Sequence, residues 1–113
     1  MKIAHHFGGE VYAKEMHLDR GQFVVSHRHK FEHLSILGRG SVEVEIEDRK
    51  TDRYYAPACI VIPAGKHHKI TALAPVVWYC VHSTTERDPN KVDESLVEAT
   101  DMPAVVNLVL GEK

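Results

Sequence analysis

Residues 26–33 read SHRHKFEH, which places His27, His29 and His33 within seven positions. In an extended chain successive side chains alternate faces, so these odd-numbered histidines share one face and Arg28, Lys30 and Glu32 share the other. A helix explains the set less well. Two positions correspond to about 200° of helical rotation, so His29 and His33 could meet there but His27 could not join them. Two imidazoles two residues apart on a strand stand about 6.6 Å apart at the backbone, a span that side chains can close around an ion. Each binds as a neutral ring through a nitrogen at about 2.0–2.1 Å. An isolated HxH is a weak signal, because solvated histidine pairs are common, and further ligands must come from elsewhere in the chain.

The elements that would position these residues are strands. SVEVEIE, residues 41–47, alternates Val42, Val44 and Ile46 with Glu43, Glu45 and Glu47, a clean period of two. EVYAKEMHL, residues 10–18, and the run Phe23, Val24, Val25 read as two strands joined by the turn Asp19, Arg20, Gly21. EDRKTDR reads as a polar turn, YYAPACIVI as one apolar strand, PAGKHH as a tight turn and VVWYCVH as a further β-rich run. Many short strands at close spacing predict a small all-β barrel or sandwich. The tail differs. Residues 86–103 are charged and carry Val92, Leu96 and Val97 at amphipathic spacing, which predicts a short surface helix, and AVVNLVL after it could add an edge strand.

With 113 residues, the chain is expected to form one domain over 1–113. Its 43% hydrophobic and 27% charged residues are ordinary globular usage. A net charge of -2 leaves no basic excess to neutralise phosphates or anionic lipid, so no nucleic acid and no membrane is expected as a partner. MKIAHHFGGE lacks the apolar run of a signal peptide and no stretch is long enough to span a bilayer, which predicts a cytoplasmic location. Cys59 and Cys80 lie on separate apolar segments and read as two buried thiols, with a disulfide or a metal role as the alternatives.

The stretch GQFVVSHRHKFEHLSILGRG, residues 21–40, resembles the first motif of the cupin superfamily: a glycine, five residues, HxH, three or four residues, a glutamate, six residues and a glycine. Gly21, His27, His29 and Gly40 occupy the matching places, and His33 stands where the glutamate usually does. Residues 57–72 resemble the second motif, a glycine, five residues, PxG, two residues and a histidine. Pro63 and Gly65 match the PxG and His68 the ligand position, while Pro57 replaces the first glycine and Ala72 the asparagine that often ends the motif. The two motifs are separated by residues 41–56, a short interval like that of small single-domain bacterial cupins.

The resemblance implies a jelly-roll barrel or sandwich with a metal site of the four-histidine kind, His27, His29, His33 and His68. Glu32 is the alternative carboxylate ligand, and strand parity argues against it unless a bulge intervenes. Adjacent His67 and His68 should face opposite ways, which leaves His67 near the rim. His82 shares parity with Trp78 and Cys80 and reads as a hydrogen-bonded barrel histidine or as a support for a ligand. His5, His6 and His17 read as surface or partner-facing residues.

Four neutral imidazoles would leave a divalent transition ion its full double charge, making it a stronger Lewis acid that favours anionic ligands. Such donors suit iron, nickel, copper or zinc, and iron, manganese, nickel or zinc is the expected cofactor. The resemblance implies a range of activities. A metal-dependent small-molecule enzyme acting on an anionic or chelating substrate comes first, as an oxygenase and then as an isomerase or lyase. The alternative is a non-catalytic module that binds or senses a small ligand through the metal. Ser35, Tyr54, Tyr55, Trp78 and Tyr79 are available to line a pocket, and no residue stands out as a general base. Leu34 and Ile36 fall on the face opposite His33, which together with the resemblance predicts a homodimer whose interface includes Leu34 or Ile36, with AVVNLVL as the alternative contact.

Overall fold

The computed structural model describes residues 1–26 and 30–92. Among them are nine strands: β1 (Lys2–Gly8), β2 (Val11–Leu18), β3 (Phe23–Ser26), β4 (His33–Arg39), β5 (Ser41–Ile46), β6 (Asp52–Tyr55), β7 (Ala58–Ile62), β8 (His68–Ala72) and β9 (Val76–Ser83). They form a five-stranded sheet in the order β1-β2-β9-β4-β7 and a four-stranded sheet in the order β3-β8-β5-β6. From β3 onward the chain switches sheets at every connection except the β5–β6 hairpin, which winds it into a double-stranded β-helix.

Alternation along each strand builds the core between the sheets. Val42 and Val44 of β5 are buried while Glu45 is exposed, as the period of two predicts. Leu37, Ile60, Ile62, Ile70 and Trp78 meet them from the other strands, and Trp78 is wholly buried. Burial of each such aliphatic side chain contributes about 1.5–3 kcal/mol. A separate small cluster joins Tyr12 and Val92, with Phe7 packed against it.

Two connections show how local chemistry directs the chain. Gly9 and Glu10 both take positive φ, 51° and 62°, the backbone required by a two-residue hairpin whose twist matches its strands, so β1 folds back on β2 in unbroken register. Gly40, the last residue of the first motif, has φ 88° where β4 passes into β5, and a Cβ there would lie 2.2 Å from the Pro75 carbonyl oxygen. Only glycine fits that corner.

Several expectations need correction. Residues 2–8, not read as a strand, form β1, and His68, read as the end of the PAGKHH turn, begins β8. YYAPACIVI is not one strand: β6 and β7 lie in different sheets, with the cis Ala56–Pro57 peptide between them, and Asp52 and Arg53 belong to β6 rather than to a turn. β2 and β3 are two strands joined by a turn, as expected, and they lie in different sheets, the hairpin partner of β2 being β1. Cys59 is exposed because it alternates with the inward Ile60 on an edge strand, whereas Cys80 is buried as expected. The expected tail helix falls mostly outside the described residues, and AVVNLVL does so entirely.

Candidate metal centre

The two motifs form two crossings between the sheets, and both lie at one end of the sandwich. The first runs from β3 in one sheet to β4 in the other, the second from β7 back to β8. Ser26, the last described residue before position 27, is the register partner of His68. His33, at the start of β4, is the partner of Ile62, at the end of β7.

His33 and His68 therefore face each other from opposite sheets. Both are buried, and their ring centres are 5.9 Å apart with the planes at 46°. An imidazole bound through one nitrogen holds its ring centre about 3.2 Å from the ion, so two rings sharing an ion stand roughly 4.5 Å apart at a right angle and about 6.5 Å apart on opposite sides. The spacing of His33 and His68 falls within that window. His27 and His29 lie outside the described residues. Among the described residues no three histidine, cysteine or acidic side chains stand together in a geometry that could hold an ion.

β3 ends at Ser26, β4 begins at His33 in the other sheet, and residues 30–32 before it are not in a strand, so burial at the start of β4 rather than alternation along one strand separates His33 from Glu32. Lys30, Phe31 and Glu32 are exposed on the crossing, while His33 is buried because the alternation of β4 starts there. Along β4 the pattern then runs His33, Ser35 and Leu37 inward and Leu34 outward, with Ile36 half-buried on that outer side.

His82 is the contact that sequence reasoning left open. It is buried on β9 with Trp78 and Cys80, and its ring lies 4.3 Å from that of His33 at 30°, closer than His68 does. Tyr12 also stacks on His82, at 6.3 Å and 22°. The His82 ring thus packs against both a buried tyrosine and a candidate ligand, and its close contact with His33 restricts how that ring can turn. One rung deeper, the Ser35 hydroxyl donates to Cys80 Sγ at 4.0 Å, with both side chains on the inner face.

The remaining histidines have definite partners. His67 is half-buried rather than at an open rim: its backbone N–H donates to Glu47 Oε1 at 3.0 Å, and its Nδ1–H donates to the Ser26 carbonyl oxygen at 2.9 Å, tying the second crossing to the end of β3. His5 Nδ1 and the Tyr12 hydroxyl hydrogen-bond at 2.7 Å. On the outer face, Glu15 bridges two imidazoles, His17 Nε2 at 2.5 Å and His6 Nε2 at 2.9 Å. Its hydrogen bond from His17, and then that from His6, hold the Glu15 carboxyl below its ordinary range.

Of the other side chains considered as pocket walls, Trp78 belongs to the core, Tyr55 is exposed and Tyr54 is half-buried on β6. Tyr79 lies on the outer side of β9. Among the described residues no helix is long and apolar enough to cross a membrane.

This architecture is the cupin fold, an all-β double-stranded β-helix. A cupin-2 domain-containing protein from Halorhodospira halophila superposes with a TM-score of 0.64 at 21% identity, over 91% of this chain and 77% of that one. KdgF from Halomonas sp. gives 0.61 at 24% identity, over 75% and 79% of the two chains. An RmlC-like cupin family protein from Methanocaldococcus jannaschii, described as having a double-stranded β-helix fold, gives 0.62 at 16%, over 81% and 86%. No protein-family model and no curated protein matches the sequence.

Proposed function

We propose that this protein holds a divalent transition ion, iron, manganese, nickel or zinc, at the end of the barrel where the two crossings meet, and acts there on a small anionic or chelating molecule. The observation that carries the reading is the buried His33–His68 pair, facing at 5.9 Å from opposite sheets. His27 and His29 complete the proposed ligand set from the crossing that follows Ser26. When bound, the ion supplies Lewis acidity and open positions for oxygen or a chelating substrate.

The chain's own residues provide the setting. His82 packs on the His33 ring and limits its rotation, and Ile62 and Ile46, the register partners of His33 and His68, stand beside the imidazoles with apolar groups. Such groups exclude water and strengthen electrostatic interactions inside. The activity proposed first is an oxygenase acting on an enolate, diketone or hydroxy acid. A metal-assisted isomerase or lyase is second.

Elemental analysis of protein purified without a histidine tag, followed by oxygen consumption with candidate enolates and diketones, tests this. About one equivalent of transition metal and metal-dependent oxygen uptake are expected. Metal with substrate conversion but no oxygen uptake selects the isomerase or lyase. Tight ligand binding without turnover selects the binding or sensing module, and protein that retains no metal refutes the reading.

We also propose a homodimer through the outer face of the five-stranded sheet. Register places Ala13, Val81, Leu34 and Val61 side by side on one rung and Tyr79, Ile36 and Cys59 on the next. Leu34 is 39% exposed and Val61 54%. An apolar stripe across four strands is costly to leave in water. Light scattering at micromolar concentration is expected to give a dimer, and the pair Leu34→Glu and Val61→Glu is expected to give a folded monomer. A wild-type monomer contradicts the proposal, and a dimer that survives both charges places the interface elsewhere.

A further inference from the structure

We propose a second binding site, for an amphipathic small-molecule anion such as a medium-chain or aromatic carboxylate, in the seam between β6 and β7. These are the edge strands of the two sheets on the same side of the sandwich, and no ladder of hydrogen bonds joins them. The seam opens into a cleft of about 480 Å³. That lies within the ~300–1,000 Å³ typical of small-molecule sites.

The lining has two chemically distinct parts. Val44 and Ile60, both buried, lie beneath the base, and half-buried Ile46 and Tyr54 flank it, so an aliphatic or aromatic body has apolar and ring surface beside it. At the rim the β5–β6 turn supplies Arg49 and Lys50. Neither forms an ion pair with a described residue, although Asp48 beside them is held by Lys66 at 2.8 Å. Among the described residues Asp52 is the one acid lining the cleft, so with Arg49 and Lys50 their charges sum to a single positive charge. A planar guanidinium and a flexible ammonium over an apolar base suit a carboxylate head on an apolar body, and disfavour a cation of the same shape.

The site is separate from the candidate metal centre, and occupancy does not require the ion. Ile46 is the register partner of His68, so one side chain of the cleft also borders the imidazoles. Cys59 gives the cleft its own reporter, because this thiol, exposed in the single chain, lines it while Cys80 is buried. Its modification is read in the Leu34→Glu background, where a charge set in the proposed outer-face contact keeps the thiol accessible.

The experiment uses the full chain, octanoate as the probe and octyltrimethylammonium as its cationic counterpart, with alkylation of Cys59 by neutral iodoacetamide followed by mass spectrometry. Octanoate at ten times its Kd is expected to slow Cys59 modification roughly tenfold by mass action, with Cys80 as the slow internal reference. The cationic amphiphile is expected to give little protection. The pair Arg49→Gln and Lys50→Gln, on an exposed turn and checked for an unchanged Tm, is expected to weaken octanoate about tenfold.

Protection should persist with a chelator present and in His68→Ala, which keeps the outcome apart from that of the metal proposal. No protection, equal protection by the cation, unchanged affinity in the Arg49 and Lys50 variant, or protection that disappears with chelator would each overturn the site. The last outcome would assign the carboxylate to the metal centre instead.

Discussion

Replacing His68 or His33 with alanine is expected to weaken binding of a divalent transition ion by at least about a hundredfold, since loss even of a group that merely supports a ligand costs ~10–100-fold. Glu32→Gln is expected to leave affinity unchanged, because Glu32 is exposed on the crossing whereas His33 is buried opposite His68. Isothermal titration with Ni2+ or Zn2+ measures the affinities. The thermal stability of each variant in chelator separates loss of a ligand from loss of the fold, a necessary control for side chains 5% and 2% exposed. Equal losses in Glu32→Gln and His33→Ala would remove His33 from its place in the ligand set. His82→Phe keeps a ring against His33 and is expected to retain most of the affinity, which distinguishes packing from ligation at that position.

Acid is expected to abolish the stabilisation that metal confers. An ion at a hundred times its Kd adds about 2.7 kcal/mol to a folded state that alone binds it, on the order of 10 °C in Tm for a domain of this size. Each imidazole must be neutral to bind, so as pH falls through the histidine range near ~6.5 protons compete at every ligand at once and the increment disappears. Calorimetry from pH 8 to 5, with metal and with chelator, reads the difference directly. Parallel curves would contradict the linkage.

The bridge at Glu15 acts in both samples and cancels in that difference. Its folded-state pKa is depressed by His17 and His6, so its contribution is present above the unfolded carboxylate value and is lost only as pH falls through the lower folded one.

The contrast between residues 41–47 and 54–62 shows what kind of information the sequence carries. β5 was legible because one face meets the core and the other meets solvent, so burial wrote a period of two into Val42, Val44, Glu43 and Glu45. YYAPACIVI carries strand composition throughout, and composition does not record a change of sheet. The chain leaves one sheet after Tyr55 and enters the other at Ala58. The same limit applies between Ser26 and His33, where β3 ends in one sheet and β4 begins in the other, a change that residue types alone do not record. Cys59 was misplaced for a related reason: its apolar neighbours identify a strand, but only pairing at the edge of the five-stranded sheet decides which face is covered.

By itself the sequence determined an all-β chain, the glycine at the β4–β5 corner and a pair of cupin-like motifs, because these rest on local spacing and on backbone angles that few residues adopt. Tertiary structure alone decided that His33 and His68, thirty-five positions apart, face each other across the sandwich. It alone placed His82 against His33 and set Arg49 and Lys50, without an ion-pair partner among the described residues, at the rim of the seam between β6 and β7. Those juxtapositions depend on which strands pair and in what register, and register is set by burial summed over whole sheets rather than by any one segment.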